Sequence, residues 1–124
     1  MNDDPILDNM ILELRRGALV LAVLSQLRSE QYGYSVMKLF SDRGLEIDQG
    51  TLYPLLRRLE GQGLLSSTWR VEGERPRRYY VLNTEGERVL NQLHAEWDTL
   101  VDIIQRLFED DETKNMEVNH EPIN

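Results

Sequence analysis

Apolar positions along the chain recur at two spacings, one helical and one alternating, and each change of spacing marks an element boundary. From Ile11 to Arg28 the pattern predicts a first helix. Its middle, Gly17-Ala-Leu-Val-Leu-Ala-Val-Leu24, is apolar on nearly every side, which predicts a central, buried position. Residues 1–9 are polar and read as a frayed end. A short second helix is expected from about Tyr34 to Arg43, with Val36, Met37 and Phe40 on one face. Gly44 suits the left-handed position that ends it. A third helix follows Asp48, whose carboxylate can accept an N–H from Gly50 or Thr51. Leu52, Leu55, Leu56 and Leu59 mark its core face, and Gly61 and Gly63 end it. Pro54 is expected in its first turn, where a missing N–H costs little.

Two strand-like runs come next, Leu64 to Val71 and Arg77 to Leu82. In the first, Leu65, Trp69 and Val71 alternate with Ser66, Thr68 and Arg70. Trp69 is expected in the core, and so is one of the adjacent Tyr79 and Tyr80, which point to opposite strand faces. Glu72-Gly-Glu-Arg-Pro76 reads as the turn. Thr84-Glu-Gly-Glu87 has the form of a capping box opening a long helix from Glu85 to about Phe108. Within it Leu90, Leu93, Trp97, Leu100, Ile104 and Leu107 recur in steps of three and four, the seam along which two helices pack. Residues 109–124 are acidic and aperiodic, and are expected to be a disordered tail. The predicted fold is α+β: a winged helix-turn-helix over 1–83, built of three helices and a β-hairpin wing, then a dimerisation helix over 84–108 and the tail.

Composition narrows the function. The 124 residues contain no Cys, which excludes a disulfide framework and thiolate metal sites. The first residues do not read as a signal peptide, and the longest apolar run, Ala18 to Leu24, falls far short of the roughly 20 residues of a membrane span. A soluble cytoplasmic protein is expected. With only His94 and His120, and no paired catalytic motif, the inventory argues against an enzyme, a metal site or a cofactor. The net charge of −8 argues at first against nucleic acid. Its distribution reverses that reading. Residues 51–82 hold six Arg against three Glu, while residues 96–124 hold nine acids against Arg106 and Lys114.

The order of parts carries the functional reading. A helix with a polar, basic outer face is followed at once by a hairpin with a basic tip. Such a helix fits the DNA major groove, and the hairpin can lie along the neighbouring backbone or minor groove. Thr51, Tyr53, Pro54, Arg57 and Arg58 lie opposite the leucine face. The hydroxyls near the helix start suit phosphate, and Arg57 or Arg58 can reach phosphate or a guanine edge. Tyr53 fits DNA contact or packing equally. At the wing, Arg75 and Arg77 are expected at DNA, whereas Arg78 can instead pair with an acid elsewhere in the fold. The competing reading of these arginines is a solvated face, or pairing with Glu72 or Glu74.

Tyr32-Gly33-Tyr34, Gly50-Thr-Leu-Tyr-Pro-Leu-Leu-Arg-Arg-Leu-Glu60, Gly63-Leu64-Leu65, Arg75-Pro-Arg-Arg-Tyr-Tyr80 and Thr84-Glu85-Gly86 together resemble the short form of the PadR family of transcriptional regulators, across roughly Leu12 to Phe108. The resemblance implies a homodimeric repressor that binds a double-stranded DNA operator. It also implies a C-terminal helix packed on the partner's C-terminal and N-terminal helices. In short, drug-responsive members a Trp on the last helix lines a pore at the dimer interface, and Trp97 matches it, which implies a flat aromatic effector. The acidic stretch after Phe108 departs from the pattern. The alternative function is a winged-helix protein–protein adaptor that does not bind DNA.

Overall fold

A computed structural model describes residues 3–120, with side chains to residue 111. The elements run α1 (Pro5–Gln26), β1 (Gln31–Tyr32), α2 (Gly33–Asp42), α3 (Gln49–Gly61), β2 (Leu65–Glu72), β3 (Arg75–Leu82) and α4 (Thr84–His120). The chain divides into a unit ending at Asn91 and a second beginning at Gln92. The first two turns of α4 thus belong to the winged unit.

The core of the first unit gathers Val23, Leu24 and Leu27 with Val36 and Phe40 of α2, Leu52, Leu56 and Leu59 of α3, Leu65, Tyr80 and Leu82 of the sheet, and Leu90 of α4. The expected leucine face of α3 is therefore the buried one. Asp48 caps this helix by accepting from Thr51 N at 2.8 Å, and Gly44 has φ +88°, both as the sequence predicts. Pro54 differs from expectation. Because α3 begins at Gln49, Pro54 is past the first turn, and it removes the N–H that would bond the Gly50 carbonyl.

Four further expectations change. Residues 1–9 are not frayed throughout: α1 starts at Pro5, because Pro is favoured at a first helical position and Asp4 accepts from Leu7 N at 3.0 Å. Nor is the middle of this helix wholly buried, since 18–22 are half-buried and only Val23 and Leu24 are enclosed. The capping residue of α4 is Asn83 rather than Thr84, its Oδ1 accepting from Gly86 N at 2.8 Å. Finally, α4 does not stop near Phe108 but runs to His120. No Gly or Pro interrupts the stretch from 109 to 120, so propensity offers no stop. The expected tail is thus corrected to helix as far as 120; residues 121–124 lie outside the described residues.

The sheet has three antiparallel strands in the order β1-β3-β2. The hairpin pairs Leu65 with Leu82 at its base and Glu72 with Arg75 at its tip. Gly73 holds φ +67° at the first position of the two-residue loop, the sign that a type II′ turn requires. Strand β1 was not expected. It pairs Gln31 with Tyr80 and Tyr32 with Tyr79, and two residues are too few to display an alternation. Trp69 is a correction: it is 63% exposed rather than in the core. It stands four residues beyond Leu65, roughly 13 Å out along the wing at about 3.3 Å per residue. Of the tyrosine pair, Tyr80 is buried and Tyr79 half-buried.

Candidate nucleic-acid interface

The start of α2, the outer face of α3 and the wing enclose a cleft of about 360 Å³. Its walls include Tyr53 and Arg57 from α3, and Trp69, Pro76, Arg77 and Arg78 from the wing. Tyr53 is seated by Gly33, where a Cβ would overlap the tyrosine ring. The phenol is half-buried, so it packs and lines the cleft at once.

The six arginines of the basic stretch separate into two groups. Three are held by acids. Arg70 pairs with Glu30 and lies 5.0 Å from the centroid of the Tyr79 ring. Arg77 pairs with Glu72 at 3.3 Å and lies 4.6 Å over Tyr32. The Tyr79 hydroxyl beside it, then Tyr32 and Glu72, raise the Arg77 pKa above its ordinary value. Tyr79 in turn donates to Glu72 at 2.6 Å, which raises the pKa of that hydroxyl. Arg78 takes the alternative that the sequence left open and binds Glu60 at 2.5 Å. Arg57, Arg58 and Arg75 are exposed and have no ion-pair partner among the described residues. Of the expected contact residues, the structure brings Tyr53, Arg57 and Arg77 into one cleft. Thr51, Pro54, Arg58 and Arg75 are exposed outside its lining.

Glu60 closes a ring of three polar groups. It accepts from Arg78 through Oε1 and from the Ser67 hydroxyl through Oε2, while Arg78 Nε donates to the Ser67 oxygen at 3.1 Å. The ring ties the last turn of α3 to both wing strands. Its members lie 7, 11 and 18 residues apart, so no helical or strand spacing announces it. Glu60→Gln removes the charge and leaves an amide donor facing donors. We expect a loss of about 1–2 kcal/mol in denaturant unfolding, the scale of one charge-assisted hydrogen bond. A double variant with Arg78→Gln should then fall short of additivity, as partners do.

Elsewhere, the α4 stripe divides. Leu90 belongs to this chain's own core, which corrects its assignment to the seam, and Leu93 is half-buried. From Trp97 onward the stripe faces solvent in the single chain: Trp97, Leu100, Ile104 and Leu107, with Val101, Ile103 and Phe108 beside them. Among the described residues no helix is long and apolar enough to cross a membrane, and no group of His, Cys, Asp or Glu could hold a metal ion.

Residues 20–92 match the model of the Transcriptional regulator PadR-like family. A transcriptional regulator of Mycobacterium tuberculosis is 37% identical over 81 residues, 64% of this chain and 76% of that protein. The crystal structure of a PadR family transcriptional regulator from Eggerthella lenta superposes with a TM-score of 0.79 at 52% identity, covering 84% of this chain and 93% of that one. A transcriptional regulator from Clostridium thermocellum gives a TM-score of 0.69 at 30% identity over 76% and 96%. This chain, a winged helix followed by a long C-terminal helix, superposes on those structures over most of its length, and it belongs to the PadR-like family of transcriptional regulators.

Proposed function

We propose that the protein is a cytoplasmic, homodimeric repressor that inserts α3 into the major groove of operator DNA and lays its wing along the adjacent backbone. The observation that carries this reading is Arg57. It lines the α3–wing cleft beside Arg77 and Arg78, yet unlike those two it has no acidic partner among the described residues. An unpaired guanidinium in a cationic cleft is suited to phosphate. Arg58 and Arg75 extend the unpaired charge along α3 and to the wing tip, and Thr51 in the first turn of α3 and Pro54 in the turn after it are exposed.

The dimer is assigned to the exposed α4 stripe, whose side chains would otherwise leave a run of apolar surface in water. Ligand responsiveness is assigned to the same stripe, with Trp97 as the aromatic contact for a flat effector. Such a ligand weakens DNA binding only by the difference in its affinity for the two dimer shapes.

The test is the salt dependence of binding to duplex DNA. The logarithm of the affinity should fall linearly with the logarithm of salt concentration. Arg57→Ala should weaken binding roughly tenfold at low salt and reduce that slope by about one. A wild-type protein that fails to bind any duplex at low salt would instead be acting as an adaptor.

A further inference from the structure

We infer that Trp69 is a contact for the DNA sugar–phosphate backbone, one that adds affinity without adding charge. The inference rests on the DNA-binding reading and names what the α3–wing cleft receives. A strand of duplex that passes from the groove holding α3 to the groove beside the wing must cross the space between them. That space is the cleft lined by Arg57 on the helix side and by Trp69, Pro76 and Arg77 on the wing side. A phosphate at Arg57 sets the deoxyribose of the same strand against the wing wall.

Three features of the indole suit a sugar. Trp69 is 63% exposed, so its face needs no rearrangement to be covered. The Arg78 guanidinium lies 5.7 Å from its centroid and is anchored by Glu60, which fixes what the ring rests on. Finally, the C–H face of deoxyribose is apolar and matches an apolar ring. A second copy of this chain is the rival occupant. The cationic lining of the cleft argues against it, as does the exposed apolar stripe on α4, which supplies a self-association surface elsewhere.

Binding of a short mixed-sequence duplex is measured by fluorescence anisotropy across a salt series, for wild type, Trp69→Ala and Arg57→Ala. Trp69→Ala should bind about tenfold more weakly with an unchanged salt slope, the order expected for uncovering one face of an indole. Arg57→Ala should lose both affinity and about one unit of slope. The part of the iodide quenching that Trp69→Phe removes isolates the Trp69 emission from that of Trp97. DNA should protect that emission.

Wild-type affinity in Trp69→Ala, with Arg57→Ala impaired, overturns this inference and leaves the DNA-binding reading standing. A reduced slope in Trp69→Ala also overturns it, since the tryptophan would then act only by placing a charge. So does Trp69 emission that is shielded from iodide before DNA is added, which would give the cleft to the partner subunit. Absence of duplex binding by the wild type sinks both.

Discussion

Replacing Ile104 by Asp should abolish self-association and leave each chain folded. Ile104 is 48% exposed in the single chain, so the carboxylate costs the monomer little beyond helix propensity, about 0.5 kcal/mol. Across a two-helix seam the same substitution brings carboxylates into a desolvated strip, at a penalty of several kcal/mol per ion. The dimer dissociation constant should rise by about three orders of magnitude or more, since each 1.4 kcal/mol is tenfold. Sedimentation equilibrium reads this directly. Affinity for a two-half-site operator should fall with it, because the second reading head no longer arrives at high effective concentration. A variant that remains dimeric would move the interface elsewhere. The exposed apolar residues of α1 (Ile6, Leu7, Met10, Leu12 and Leu14) are then the surface to test.

Gly86→Ala should be the most damaging single methyl in the winged unit. A Cβ at Gly86 would overlap the Leu64 carbonyl oxygen and come within 2.9 Å of Leu82 Cδ2. That carbonyl is itself held, accepting from Asn83 N at 3.2 Å, so it cannot withdraw without breaking the joint that starts α4. Overpacking of this kind costs about 1–3 kcal/mol and sometimes more. Replacing Gly by Ala in a helix returns up to about 1 kcal/mol. A net loss near 2 kcal/mol corresponds to a fall of roughly 10 °C in Tm for a domain of this size, compared at equal protein concentration. A rise in Tm would mean that α4 does not approach Leu64 so closely, and that propensity alone governs the site.

The two substitutions probe different kinds of information. The α4 stripe from Trp97 to Leu107 is legible as spacing, because a helix converts steps of three and four into one face whatever surrounds it. Gly86 is not legible in that way. Inside a helical run it reads as a weak position, and only the arrival of Leu64 from the loop between α3 and β2 makes a side chain impossible there. Gly33 behaves alike: the residue that forbids its Cβ is Tyr53, twenty positions on and in another helix.

The same division runs through the candidate interface. Sequence alone located the arginines on α3 and the wing, because exposed basic residues interrupt an otherwise periodic apolar pattern. It could not divide them into paired and unpaired. Arg78 is neutralised by Glu60 and Arg77 by Glu72, while Arg57 has no ion-pair partner among the described residues. Charge within a window of chain is a sum, whereas a salt bridge depends on distance in space. Trp69 failed for a related reason. Alternation assigns residues to strand faces but not to depth, and the wing outruns the core that would have covered it.

Local periodicity and capping chemistry determined which segments are helices and strands, the leucine face of α3 and the apolar stripe of α4. Those are properties of a residue and its near neighbours. The tertiary structure decided that Leu90 is core rather than seam, that Asn83 rather than Thr84 caps α4, that β1 joins the sheet, and which guanidinium remains unpaired in the cleft. Each of those depends on which distant group arrives within a few ångströms, and the linear spacing of residues does not contain that distance.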